Sequence, residues 1–225
     1  MHAGSLDVAS LVARLRSDSA GAQEQPRSQE LAAAELSGPM FNKVDNQAVI
    51  ARAGAIEPLV ALLRGGGAGA QEAAAVALLA HLAAGSADNR VAVARAGAIE
   101  PLVALVRSGS AKAQQQAAVA LINLAYGNAD NRAAIASAGA IEPLVAIVRS
   151  GSALAQGEAA SVLGHLAAGS HLDGHLDASS ADNQEAIARA DAIEPLVALV
   201  RSGSAKAQEA AAAALSNLGY RNADN

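Results

Sequence analysis

The chain has 225 residues, 52% of them apolar but only 1% aromatic, and a formal net charge of −5 at pH 7. This balance supplies no broad basic surface for nucleic acid or anionic lipid, and it leaves Ala, Leu, Val and Ile to build any core. Cysteine is absent, and no signal peptide or long uninterrupted apolar span is visible. The expectation is therefore an intracellular protein, cytoplasmic or nuclear, without disulfides, thiolate chemistry or membrane insertion.

The chain opens with a short segment, Asp7 to Arg16, whose LVARLRSDSAGAQEQ aligns with LVALVRSGSAKAQQQ at Leu102 to Gln116. It starts partway through a unit that recurs. The following stretch, Pro26 to Leu36, departs from later copies, and Gly38, Pro39, Met40 and Phe41 lengthen its exit loop. Terminal repeats differ from internal ones because they cover an apolar end, so Met40 and Phe41 read as cap packing.

From residue 45 the unit becomes regular. The phrase AGAIEPLV at Ala53 to Val60 returns at Ala96 to Val103 and Ala138 to Val145, then as ADAIEPLV at Ala190 to Val197, with spacings of 43, 42 and 52 residues. Self-similarity at such a period marks a repeat array. The expected organisation is one array over residues 1–225: an irregular partial repeat at 1–44, then 45–87, 88–129, 130–181 with a 10-residue insertion, and 182–225.

The copy at 88–129 shows how each unit is built. Asp88 is a candidate cap for a short helix over 89–96, which stops at Gly97, a residue free to take the left-handed conformation that ends helices. Ile99, Glu100 and Pro101 open a second helix, with Pro in the first turn where its missing N–H is harmless, and it runs to about Arg107. Ser108, Gly109 and Ser110 break the chain, and Ser110 caps a longer third helix from Ala111 to about Tyr126. Leu102, Val103, Leu105 and Val106 on the second helix, and Ala113, Ala117, Ala120, Leu121 and Leu124 on the third, recur at helical spacing. Neither helix buries that face alone, so stacked neighbours must share it. The fold class is all-α. In the last copy Asp182 and Glu185 have capping-box spacing, and Asp191 stands where the others have Gly.

Three helices per unit of about 42 residues, read on GAIEPLVAL followed by AVALINLA or AAALSNLG, resemble the armadillo repeat over nearly the whole chain. The resemblance implies a right-handed α-α superhelix, a solenoid of three-helix repeats whose third helices line a concave groove, and partners that are extended peptides or proteins. It also implies an Asn near the end of each third helix, which bonds the peptide backbone, and a Trp four residues earlier. The Asn stands at Asn123 and Asn217, replaced by His81, His165 and, in the first unit, Glu35. At the Trp positions are Leu31, Ala77, Val119, Ser161 and Ala213, so the Trp faces that hold Lys stems are missing. One turn earlier lie Ala74, Gln116, Glu158 and Ala210; one turn later lie Tyr126 and Tyr220. The expected peptide-binding set is thus His81, Gln116, Asn123, Tyr126, Glu158, His165, Asn217 and Tyr220.

The third regular copy carries the insertion, GSHLDGHLDASS at Gly169 to Ser180. His171, Asp173, His175 and Asp177 are ligand-type residues, with the two histidines at i and i+4. Gly174 between them and the absence of a known ligand spacing favour a loop or cap extension, so the expectation is no metal and no cofactor. The recurring Glu57, Glu100, Glu142 and Glu194 each precede a Pro at a helix start, and no nucleophile, metal-protease or phosphate-loop motif is present, so no enzyme is expected. The leading reading is a non-catalytic binding scaffold. Its alternatives are a designed or consensus-like scaffold without a natural ligand, and a homo-oligomer formed through exposed array ends.

Overall fold

The computed structural model describes residues 8–16, 25–36, 38, 44–77, 82–84, 86–168 and 178–219. They fall into two compact units, Met1–Pro101 and Leu102–Asn225. Among the described residues every regular element is a helix.

The first unit holds α1 (Val8–Arg16) and α2 (Gln25–Leu36), then a triplet α3 (Val44–Arg52), α4 (Ile56–Gly65) and α5 (Ala68–Val76), then α6 (Ala87–Arg95). Helix α7 (Ile99–Ser108) contains the division between the units. The second unit continues with α8 (Ala111–Ala125), the triplet α9 (Ala129–Ser137), α10 (Ile141–Ser150) and α11 (Ala153–Ala167), and the triplet α12 (Ala178–Arg189), α13 (Ile193–Ser202) and α14 (Ala205–Gly219).

The repeated phrase is a joint. At α6 the amide of Gly97 donates to Ala94 at 2.9 Å and that of Ala98 to Val93 at 3.3 Å, the paired bonds of a Schellman stop, with Gly97 at φ +80°. The same stop follows α9 at Gly139, where φ is +75°. After it the chain turns sharply: α9 and α10 meet at 79°. Asp191 makes the equivalent turn at φ +55°, the one positive φ at a non-glycine residue among the described residues.

Helix starts lie earlier than the sequence suggests. Ser86 Oγ accepts from the Asn89 amide at 3.3 Å and Asn128 Oδ1 from that of Asn131 at 2.9 Å, so α6 and α9 begin at Ala87 and Ala129. Asp88 is therefore not the cap but a first-turn acid, favourable against the helix dipole. The expected capping box of the last repeat does not form either. Helix α12 begins four residues before Asp182, and Glu185 pairs with Arg189 along the helix. Ser180, from the inserted stretch, is buried and donates to the Ala168 carbonyl at 2.6 Å. The third helices do start as expected, with Ser110 accepting from Ala113 at 3.1 Å and Ser152 from Ala155 at 3.3 Å.

Like helices pack on like. In the second unit the third helices lie in the order α8, α11, α14, with α9 against α12 and α10 against α13. In the first, α2 packs on α5 and α1 on α4. The shared core is aliphatic: Leu102, Leu121, Leu124, Leu144, Leu163 and Leu166 are fully buried. Burial of each contributes about 1.5–3 kcal/mol relative to exposure. Small residues set how close α11 and α14 come. A Cβ built on Gly157 would lie 3.4 Å from Ala207 Cα, and one on Gly164 would lie 3.3 Å from Ala214 Cα.

Three polar ties recur between helices, all ending on main-chain carbonyls. The last-turn arginine of four second helices reaches the next repeat's turn: Arg16 Nη2 donates to Gly54 at 2.9 Å, Arg64 to Gly97 at 3.0 Å, Arg107 to Gly139 at 3.5 Å and Arg149 to Asp191 at 3.0 Å. The acceptors sit at the carboxyl end of a first helix, where a cation is favoured. A glutamine early in four of the third helices donates back to the end of the second helix, as in Gln114 to Val106 at 3.1 Å and Gln156 to Val148 at 3.0 Å. The first-helix asparagine donates to the preceding third helix, from Asn131 to Leu124 at 2.9 Å and from Asn183 to Leu166 at 3.0 Å.

The 43-residue spacing of one copy has a structural cost. Ala77, Leu82 and Ala83, just past α5, take π-helical geometry, the wider turn that accommodates one extra residue. In the next helix the buried Nδ2 of Asn89, which occupies the position of Asn131, has no hydrogen-bond partner among the described residues.

Candidate functional site

Of the eight expected binding residues, His81 and Tyr220 lie outside the described residues, as do His171, Asp173, His175 and Asp177. The other six stand on the three adjacent third helices of the second unit: Gln116, Asn123 and Tyr126 on or just past α8, Glu158 and His165 on α11, and Asn217 on α14. They share a face because 116 and 123, like 158 and 165, are two turns apart.

Their availability differs. Tyr126 is 55% exposed and closes α8, its ring set edge-on to His165 at 6.0 Å between centroids and 80° between planes. This is the favoured geometry for an aromatic pair and keeps one face of the phenol ring uncovered by His165. Gln116, Asn123 and His165 are half-buried. Asn217 has its amide nitrogen on the Gly164 carbonyl at 2.9 Å, and its own carbonyl accepts from Gln184 at 2.9 Å. It clamps α14 to α11, and its side-chain oxygen remains as acceptor.

Glu158 departs furthest from a solvated surface residue. It is 6% exposed, and Oε1 accepts from Lys206 Nζ at 2.6 Å. A buried carboxylate requires such a partner. Lys206 was not among the expected site residues, though the sequence carries a signal for it: Lys112 occupies the same position two repeats earlier, while Leu154 fills it in the repeat between and Gly69 in the repeat before Lys112. Glu35, aligned with Asn123 and Asn217, is paired with Arg14 at 3.2 Å. Ala74, aligned with Gln116, is fully buried, because the residue taken up past α5 shifts that helix by one position and puts Ala73 in its place.

Among the described residues no group of three or more His, Cys, Asp or Glu side chains converges as a metal site would require. Recesses lie on the second-helix side. One of about 530 Å³ is lined by Arg107, Gln114, Glu142, Pro143 and Ala146, and one of about 370 Å³ by the matching Arg149, Gln156, Glu194, Pro195 and Ala198. They are the seams between repeats, spanned by the arginine ties.

Three-helix units stacked like on like, each joined by a glycine stop and a proline start, define a helical-repeat solenoid. The chain belongs to the armadillo repeat family: the Armadillo/beta-catenin-like repeat matches residues 86–126, 128–168 and 180–219, more than half of its length. No curated protein matches the sequence. Similar solved structures include an engineered protein, 32% identical with a TM-score of 0.78, covering 94% of this chain and 80% of that one. A computationally designed armadillo repeat protein for modular peptide recognition is 27% identical with a TM-score of 0.79, covering 94% and 82%. A third, a designed armadillo repeat protein in complex with the peptide (KR)4, is 25% identical with a TM-score of 0.76, covering 94% and 81%.

Proposed function

We propose that the chain is a non-catalytic scaffold that binds an extended peptide or protein segment across α8, α11 and α14. The observation that carries this reading is the exposed Tyr126 ring, paired with His165 and placed two repeats from the Asn217 clamp on one continuous third-helix face. Gln116 and Asn123 offer amide donors and acceptors, the groups that read a peptide backbone without regard to its side chains. The designed relative bound to a peptide supports the same use of the fold.

The face is not suited to a strongly basic peptide like that bound by the relative. Its one buried acid, Glu158, is already neutralised by Lys206, and no Trp is present. A neutral or mildly acidic segment with an aromatic or aliphatic anchor beside Tyr126 fits better. The test is a screen of immobilised random peptides against the full chain, followed by titration of the best binders. Binders lost on Asn123→Ala and Tyr126→Ala, with Val49→Ser on the exposed side of α3 unaffected, are the expected result. A screen without binders, or binders indifferent to both changes, removes the proposal.

A further inference from the structure

The amino-terminal ends of α8, α11 and α14 carry a row of side chains that the peptide-binding set leaves out. The second residue of each helix, Lys112, Leu154 and Lys206, stands one turn before Gln116, Glu158 and Ala210 and so shares their side of the helix. All three are exposed: Leu154 is 58% open to solvent, and the Lys206 side chain 66%.

The row has an apolar centre and cationic flanks. Helix α11 packs between α8 and α14, so Leu154 lies between the two lysines. All three helices begin here, capped by Ser110, Ser152 and Ser204, and their positive dipole ends reinforce the charge. Glu158 does not cancel it outright. It is buried beneath the row, and its bond to Lys206 uses one of the three donors of the ammonium, leaving two directed to a ligand. Glu209 aligns with Gly157, which faces the following helix, and therefore sits on the flank of α14 away from α11.

An extended chain fits this spacing. Packed helices lie about 8–10 Å apart, which separates the two lysine Cα atoms by about 16–20 Å. Residues i, i+2 and i+4 of a strand point the same way and span about 13 Å, and the long lysine stems close the difference. A strand crossing the three helices at the level of Gln116 turns these residues toward Lys112, Leu154 and Lys206, and its alternate residues toward Tyr126.

We propose that this edge selects the ligand by charge: the bound segment has the pattern acid-x-Leu-x-acid, its carboxylates on Lys112 and Lys206 and its apolar side chain on Leu154. This rests on the peptide-binding reading above and adds the chemical class of the peptide.

The test applies the full chain to immobilised short peptides of the form E-x-L-x-E, with x randomised, beside sets in which Q or K replaces both E, or S replaces L. The acidic set is expected to bind about tenfold more tightly than the Q set, and the K set least. Lys112→Glu should abolish that order. Leu154→Ser should keep it but remove the preference for L over S. Both positions are exposed, and circular dichroism checks that each variant keeps its helix content. Peptides held equally from every set, yet released by Tyr126→Ala, would overturn this assignment and leave the peptide-binding face standing. A charge order that persists in Lys112→Glu would overturn it as well, and a chain that binds no set at all would remove both readings.

Discussion

Glu158 on α11 and Lys206 on α14 form an ion pair at 2.6 Å in which one partner is buried and the other 66% exposed. The asymmetry fixes what each substitution does. Lys206→Ala leaves a buried carboxylate without its partner and is expected to destabilise the fold by about 1–3 kcal/mol. Glu158→Ala removes the need for the lysine, so adding Lys206→Ala to it should cost little further. A double-mutant cycle in urea reads this directly, and additive effects would show that the pair contributes nothing as a pair.

The turn at Asp191 combines a strained backbone with a useful carbonyl. Asp191→Gly keeps the carbonyl that Arg149 bonds and relieves the positive φ, and is expected to stabilise by about 0.5–1 kcal/mol. Arg149→Ala removes the tie and should destabilise by about 0.5–1.5 kcal/mol, the lower part of that range applying because the bond is exposed. Thermal melting of the two single variants checks both signs.

Gly157 and Gly164 set the contact between α11 and α14, but a methyl group meets different space at each. Gly157→Ala makes an ordinary contact with Ala207 and removes a helix-breaking residue, so a gain of about 0.5–1 kcal/mol is expected. Gly164→Ala presses a few tenths of an ångström on the α14 backbone and should gain little. Gly157→Leu forces the helices apart and is expected to cost about 1–3 kcal/mol. Denaturation midpoints ordered otherwise would contradict the observed packing.

Asn89 and Asn131 occupy one position in successive repeats yet predict opposite outcomes. Asn131→Ala deletes a buried bond to Leu124 and orphans that carbonyl, at a cost of about 1–3 kcal/mol. Asn89→Ala removes a buried amide nitrogen that has no partner among the described residues and should be near neutral or stabilising. Equal losses would mean that Asn89 finds a partner in solution.

On the third-helix face, Tyr126→Ala is expected to weaken a bound peptide about tenfold or more, as truncation of an exposed aromatic anchor does. His165→Ala should weaken the same peptide less, and the two losses should not add, because His165 acts by orienting the ring. Isothermal titration with one screened peptide distinguishes this from two independent contacts.

The helix triplets were legible because glycine, proline and serine punctuate the repeated phrase, and each punctuation mark has one backbone consequence. Gly97 stops a helix, Pro101 sits in a first turn, and Ser110 caps the next, as their chemistry dictates. The helix starts at Ala87 and Ala129 were less legible, since Ser86 and Asn128 compete with the neighbouring aspartates for the cap and only geometry decides. The ties of Arg149 and Gln156 were not legible at all, because their acceptors are carbonyls, which every residue has. Glu158 read only as one of the groove residues, with no sign of its burial. Its burial depends on how closely Gly157 and Gly164 let α14 approach.

Each arginine tie ends on the main chain of the following repeat, so the side chain at the turn is not part of the bond, and Gly139 and Asp191 both serve as acceptors. A joint of this kind recognises a backbone shape instead of a sequence. One repeat can therefore diverge, be duplicated, or carry an inserted stretch such as that before α12 without its neighbours having to change with it.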